Sequence, residues 1–296
     1  MKPFIKWAGG KTQLLQTIIG NFPRDRNNLT RYVEPFIGAG AVFFYLIEHD
    51  YFQEYVINDI NPKLINVYRV IRDDVEGLIQ ELGGIRNTYF ELIEQEQKEA
   101  YYYQIRNEFN APDDTNIEQA AKFIFLNKTC YNGLYRENLR GGFNVPFGKH
   151  TTPSMFEEEQ LREISRLLNL RNEHGELRVQ IHNNNYENLG ELIDADTFVY
   201  FDPPYRPITL GGFNSYNKSS FKDEQQVELS NFFREMSNIG ARLMLSNSDP
   251  RNLDPQDNFF DELYDGFNIQ RVMATRAINR NGAGRGAVTE LLITNY

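Results

Sequence analysis

An open α/β sheet interrupted by a mainly helical insertion accounts best for this chain of 296 residues. Short apolar, strand-like runs bounded by turns occupy both ends of the sequence. Between Asp73 and about Arg171 the apolar residues recur at helical spacing instead. Arg31–Glu34 and Tyr55–Ile57 read as short strands, with a helix beginning near Ala41 between them. Pro62 opens a further helix, because proline suits a first helical position and Leu64, Ile65, Val67, Tyr68 and Ile71 then share one face. Glu-rich Tyr89–Phe109 and apolar Ala120–Leu126 continue the helical pattern. Within the insertion, Gly133–Phe147 stands apart: Gly141 and Gly142 between two strand-like arms predict a β-hairpin. Strand signals resume at Leu177–Ile181, Phe198–Phe201, Arg242–Leu245 and Glu290–Thr294, with a helix at Glu224–Ser237. The expected division is 1–72 with 178–296 as the sheet domain and 73–177 as the insertion.

Composition narrows the chemistry. Hydrophobic residues at 41% and charged residues at 24% fit a globular protein with a substantial core. The longest apolar run is far short of the roughly 20 residues that span a bilayer, and the N-terminal stretch has no signal-peptide pattern, so a cytoplasmic protein without a membrane partner is expected. Cys130 is the single cysteine, and His49, His150, His174 and His182 show no ligand spacing, so no metal is expected. The net charge of −10 speaks against a phosphate-rich partner on average. It hides two basic stretches, however. Lys122–His150 holds five Lys or Arg against one acid, and Arg271–Thr289 holds Arg271, Arg276, Arg280 and Arg285 with none. A basic face on an acidic body suits a nucleic-acid binder, while solvated surface charge explains it equally simply.

Three motifs carry chemistry. Glu34–Phe44 (EPFIGAGAVFF) lies between a strand and a helix, where glycines let backbone approach a ligand. Gly38 and Gly40 fit a dinucleotide fingerprint but Phe43 does not, and Asp59 follows at the end of the next strand, where an acid can accept from a ribose. Together they describe a nucleoside-type cofactor without a pyrophosphate. Trp7–Thr12 (WAGGKT) looks like a phosphate loop but has Ile5 where that motif needs glycine. Trp7 and Lys11 could clamp a small ligand, or Gly9-Gly10 could be a structural turn. Most specific is Asp202-Pro203-Pro204-Tyr205 at the end of a buried strand. Asp202 and the Pro203 carbonyl form a pair of acceptors beside the ring of Tyr205, which suits an exocyclic amino group on a planar base.

KWAGGK, EPFIGAGAVF, NDINPKLIN, NKTCYNGLYRENLRGGFNVPFG, DPPY, MLSNS and RGAVTELLITNY, in that order, closely resemble the Dam-type DNA adenine N6-methyltransferases, over residues 2–296. The resemblance implies a class I, Rossmann-like methyltransferase sheet that uses S-adenosylmethionine. The insertion then becomes a target-recognition domain acting on double-stranded DNA. It further implies a monomer, with a cognate restriction endonuclease as a candidate companion.

Residue by residue, the resemblance implies that Trp7, Lys11, Phe36, Gly38, Gly40, Asp59, Asn185, Tyr186 and Asp202 hold the cofactor. Asn185-Tyr186 replaces the Asp-Phe of relatives. Asp202, Pro203, Pro204 and Tyr205 would act on a flipped-out adenine, with Tyr205 as the stacking platform. Lys6, Tyr131, Asn132, Leu134, Arg136, Asn138, Arg140 and Pro146 would face DNA, and the set resembles that of GATC-methylating members. Arginine suits bidentate recognition of guanine, and Leu134 and Pro146 offer apolar contact to a thymine methyl. Phe213 and Tyr216 could close over the base or belong to the core. Methylation of RNA or of a protein glutamine, or a catalytically inactive DNA-binding relative, are the competing readings.

Overall fold

The computed structural model describes residues 1–111, 115–149, 153–206, 221–275 and 287–296. Seven strands form one sheet in the order β3-β2-β1-β4-β5-β7-β6. They are β1 Arg31–Glu34, β2 Glu54–Asn58, β3 Val179–His182, β4 Thr197–Phe201, β5 Arg242–Ser248, β6 Asn268–Thr275 and β7 Ala287–Thr294. All neighbours pair in parallel except β7, which runs antiparallel to both β5 and β6. The chain leaves β1 for β2 on one side and later places β4 on the other. The carboxyl ends of β1 and β4 therefore flank the point where strand order reverses, the usual crevice of open α/β sheets.

Strand periodicity builds two cores. Tyr32, Tyr55, Ile57, Phe198, Tyr200 and Met244 join one cluster, while their neighbours Val33, Val56, Val199, Phe201, Leu243 and Leu245 join the other. Successive side chains point to opposite faces, so a strand apolar at every position must be covered twice. After α1 (Leu15–Gly20), α2 (Ala41–Glu48) packs on the first face and is itself buried nearly all round. There it is followed by α3 (Pro62–Asp73), α4 (Val75–Glu91), α5 (Gln95–Phe109), α6 (Asn116–Thr129) and α7 (Glu158–Leu168). The second face is covered by α8 (Asp223–Asn238) and α9 (Phe259–Leu263). Asn61 caps α3, accepting from the Lys63 and Leu64 amides ahead of Pro62, and Thr115 with Glu118 forms a capping box on α6.

Two expectations are corrected. The Gly133–Phe147 arms do not form paired strands; they touch through single bridges at Glu137–Phe143 and Cys130–Phe147, around a turn closed by Asn138 and Gly142. Some backbone groups that a ladder would use are taken instead by side chains of α5 and of Asn110, the residue that ends it. Asn110 bonds both the amide and the carbonyl of Phe143, and Tyr102 donates to the Val145 carbonyl. Pro146 has no amide to offer. The other omission is β6: as the sheet edge it is only half covered, with Met273 exposed, and so lacks the apolar run that marks the inner strands.

Candidate active site

A cleft of about 870 Å³ opens at the reversal point, lined by the Trp7–Lys11 loop, the β1–α2 turn, Asn58–Ile60, Asn184–Tyr186, Asp202–Tyr205 and the start of α8. Its floor is set by backbone. Gly38 and Gly40 take φ of +48° and +71°, the left-handed region open to glycine. A Cβ on Gly38 would lie 2.7 Å from Trp7 Cδ1, and one on Gly40 2.8 Å from the Tyr68 hydroxyl. Both glycines are therefore required by conformation and by space.

Asp59 follows β2. Its Oδ2 accepts from the Gly38 amide at 3.2 Å and its Oδ1 from the Asn61 amide at 2.9 Å. Burial pushes this carboxyl up to about 6, against the opposing pull of those two bonds. Each oxygen keeps a lone pair after its backbone bond, which is what two ribose hydroxyls would need. Asn58 fixes the neighbouring loops, donating to the Pro35 and Asn184 carbonyls and accepting from the Asn184 amide. Phe36 and Tyr186 sit with ring centroids 5.4 Å apart, and Phe221 meets Phe36 edge-on at 5.9 Å. The Tyr186 hydroxyl is buried with no hydrogen-bond partner among the described residues. Asn185 is exposed and donates to Glu187. A ribose-sized acceptor pair beside an aromatic wall fits the nucleoside half of the expected cofactor.

At the other end, Lys11 is buried and its Nζ lies 2.6 Å from Asp202 Oδ1, 2.6 Å from the Gly9 carbonyl and 4.5 Å from the Tyr205 ring centre. The cation thus lies against the Asp-Pro-Pro-Tyr motif rather than apart from it. Ser246 on β5 donates to the same Oδ1 at 3.2 Å, and the Tyr200 hydroxyl lies 2.9 Å from Ser246 Oγ. Desolvation raises the Asp202 carboxyl above its ordinary value, and Lys11 and Ser246 pull it back. The Tyr205 hydroxyl donates to Glu290 on β7 at 2.5 Å, and Gln226 on α8 donates to the Pro204 carbonyl. Pro203 lines the cleft. Glu34, fully enclosed, accepts from Tyr32 at 2.6 Å, and burial holds its carboxyl well above the usual range.

The expected DNA-facing residues gather on one surface. Tyr131, Asn132, Leu134, Arg136, Asn138, Arg140 and Pro146 are all exposed, whereas Gly133, Phe143, Val145 and Phe147 between them are buried. Lys6 joins them because Asn127 bonds both its amide and its carbonyl and also the Gly133 carbonyl. Arg136 Nε donates to Asn144 Oδ1 at 2.7 Å, which aims the guanidinium across the hairpin. Asn138 spends its Oδ1 on the Arg140 and Gly142 amides and so builds the turn. Trp7 stacks on Tyr135 at 5.3 Å and Tyr135 donates to Glu137, which Lys63 on α3 also reaches. The Trp7–Lys11 loop and the 133–147 hairpin thereby share one packed seam.

Not every basic residue is free to meet a phosphate. Arg271 pairs with Asp249 and Asp261, and Lys122 with Glu108. Arg276, Arg280, Arg285, Phe213 and Tyr216 lie outside the described residues. Among the described residues no group of His, Cys, Asp and Glu could hold a metal ion, and no helix is long and apolar enough to cross a membrane. Sequence reasoning did not single out Ser246, Tyr200, Glu290, Phe221 or Glu34. Ser246, Glu34 and Glu290 lay in view inside MLSNS, EPFIGAGAVFF and RGAVTELLITNY, and Tyr200 inside the strand Phe198–Phe201, but nothing in those stretches tied them to Asp202 or Tyr205 before the sheet brought them together.

A family model described as D12 class N6 adenine-specific DNA methyltransferase matches residues 7–278. A Type II methyltransferase, M.MjaIII, from Methanocaldococcus jannaschii is 45% identical, covering 100% of this chain and 99% of its own. The Type II methyltransferase M1.LlaDCHI from Lactococcus lactis is 35% identical over 100% of this chain and 96% of its own. A DNA adenine methylase from Vibrio cholerae is 33% identical over 98% of this chain and 95% of its own.

Proposed function

Because the chain belongs to the D12 class of N6 adenine-specific DNA methyltransferases, we propose that it methylates adenine within GATC in duplex DNA, using S-adenosylmethionine and a base flipped into the cleft. The RNA and protein-glutamine readings recede with that membership. The observation that carries the finer reading is the carboxylate of Asp202, fixed at the end of β4 beside an enclosed cleft. S-adenosylmethionine, when bound, supplies an electrophilic methyl group on a sulfonium sulfur.

The residues of the chain do the rest. Adenine N6 is a poor nucleophile because its lone pair is delocalised into the ring. Accepting its two hydrogens at Asp202 and the Pro203 carbonyl frees that lone pair and stabilises the positive charge that develops on nitrogen as the N–C bond forms. The cofactor would leave as a neutral thioether, and the extra N6 proton would pass to solvent once the base is released. Asp202 is an electrostatic partner and forms no bond to carbon. Trp7, Phe36, Gly38, Gly40, Asp59, Asn185 and Tyr186 form the nucleoside side of the cleft, and Lys11 supports Asp202 as well as the cofactor end. Tyr205, held by Glu290, offers the ring for the extruded base.

Specificity belongs to the surface of Lys6, Tyr131, Asn132, Leu134, Arg136, Asn138, Arg140 and Pro146, carried by a recognition domain spanning 73–177. The enzyme acts as a monomer, and its Type II relatives make a cognate restriction endonuclease the partner to look for. The test is sequencing of N6-methyladenine in DNA from a host that lacks adenine methylation and expresses this chain. Modification confined to GATC is the expected result; modification in another sequence overturns the GATC assignment, and unmodified DNA overturns the reading.

A further inference from the structure

Within the reading of Asp202 as acceptor of the adenine amino group, we propose that Ser246, ordered by Tyr200, is a positioning residue that fills one oxygen of Asp202 together with Lys11 and leaves the other for substrate.

The contacts fall on one side. Among the described residues, Lys11 Nζ and Ser246 Oγ both approach Asp202 Oδ1, at 2.6 Å and 3.2 Å. An ionised carboxylate oxygen accepts in about two directions, so Oδ1 is saturated and the plane of the carboxylate is fixed. The direction of the remaining bond follows from proton counting. Asp202 can only accept, so the single Ser246 proton points to it. Tyr200 must then donate to Ser246 Oγ across their 2.9 Å. Tyr200 and Ser246 are both enclosed, on adjacent strands paired in register at Tyr200–Met244 and Phe201–Leu245. Neither hydroxyl-bearing residue lines the cleft, so this chain of donors reaches Asp202 from within the sheet.

A carboxylate free to rotate would spend part of its time with its acceptors misdirected. Fixing one oxygen removes that freedom before substrate arrives, which is how preorganised electrostatics lowers a barrier. Other charged or titratable groups also face Asp202: Lys11 from the N-terminal loop, Tyr32 and Glu34 from β1, Tyr200 and Tyr205 from β4 and its turn, and Glu290 from β7.

The experiment uses the full chain with duplex DNA. Ser246→Ala is expected to lower kcat about tenfold, the effect of one hydrogen bond to a charged group, with the dissociation constant for S-adenosylmethionine and the KM for DNA unchanged. The acidic limb of its kcat profile should move to higher pH, because Asp202 loses a donor to its ionised form. Ser246→Thr, which keeps the hydroxyl on a strand position, should restore turnover.

Ser246→Ala also orphans the Tyr200 hydroxyl, so the double variant Tyr200→Phe/Ser246→Ala removes both polar groups together. If the double variant remains about tenfold slow, the missing donor to Asp202 is the cause. Recovery of turnover in the double variant overturns the proposal, as does a wild-type kcat and acidic limb in Ser246→Ala. Asp202→Ala, run alongside, separates the two levels. Retained turnover there removes the acceptor reading and this proposal with it, whereas an inactive Asp202→Ala beside an unaffected Ser246→Ala removes the proposal alone.

Discussion

Asp202 and Asp59, just past the carboxyl ends of the inner strands β4 and β2, have different partners. Asp202 is partnered by a buried cation, and Asp59 only by backbone amides. Asp202→Ala should therefore abolish methyl transfer while leaving cofactor binding largely intact, provided the folded fraction is checked, since Lys11 is then buried without its counter-charge. Calorimetry and a methylation assay on one preparation decide it, and wild-type turnover would remove Asp202 from the mechanism. For Asp59 the pH dependence is explicit. Burial raises its carboxyl from 3.8 to about 6. The folded state thus favours the protonated form: the contribution of Asp59 to stability is full below the ordinary value and is lost as pH rises through about 6. Ribose hydroxyls need the ionised form, so cofactor affinity should fall as pH drops below about 6. Asp59→Asn should flatten that dependence and weaken binding by roughly 1–3 kcal/mol, the cost of unpaired donors in a closed site. Titration calorimetry from acidic to neutral pH measures both, and an unchanged affinity in Asp59→Asn would place the ribose elsewhere.

At the scale of the element, the hairpin matters because it is not a regular one. A few backbone bonds between its arms (Asn144 to Arg136, Tyr131 to Pro146) are supplemented by Asn110, Tyr102 and the Asn144 side chain in place of a continuous ladder, and Leu134, Arg136 and Pro146 are left exposed. If Arg136 reads a guanine edge, Arg136→Ala should cost roughly 1–3 kcal/mol of discrimination at one base pair and leave the others unchanged. Arg140, at the exposed turn, is the control: its loss should weaken all sequences alike and flatten the salt dependence. Methylation of GATC and its single-base variants at two salt concentrations separates them. A uniform loss for Arg136→Ala would demote it to a backbone contact. The resemblance put Leu134, Arg136 and Asn138 among the expected DNA-facing residues, but which groups supplement the backbone pairing could not be read there. Tyr102 on α5 and Asn110 just past its end lie more than thirty residues back in sequence and meet the hairpin only after the chain folds.

Over the whole molecule, the insertion and the sheet share a single cluster of buried side chains, from Tyr32 and Phe198 on the strands through Tyr68 on α3 to Phe125 on α6 and Leu168 on α7. The proposed recognition domain therefore has no separate core, and thermal unfolding should follow one transition with fluorescence and far-ultraviolet dichroism coincident. The sole tryptophan, Trp7, reports from the seam between cleft and hairpin. Cofactor at about 100 times its dissociation constant should stabilise that single transition by ~2.7 kcal/mol. Two separated transitions would show that the insertion melts independently.

What the sequence determined by itself was whatever is local or periodic. Strand alternation, the proline and asparagine that start α3, the glycines at positive φ and the Asp-Pro-Pro-Tyr corner all act through their nearest neighbours, so their spacing alone specifies them. The inner strands were legible because burial on two faces demands an unbroken apolar run, and β6 was not, because an edge strand makes no such demand. Only the tertiary structure decided that Lys11 lies against Asp202, that Ser246 and Tyr200 reach the same carboxylate, that Glu290 holds Tyr205 and that Arg271 is spoken for by two acids. Those partners are separated by tens to hundreds of residues. Tyr200 and Ser246 meet because strand order places β5 beside β4, Glu290 and Arg271 reach their partners because β7 and β6 follow, and no local preference encodes that order.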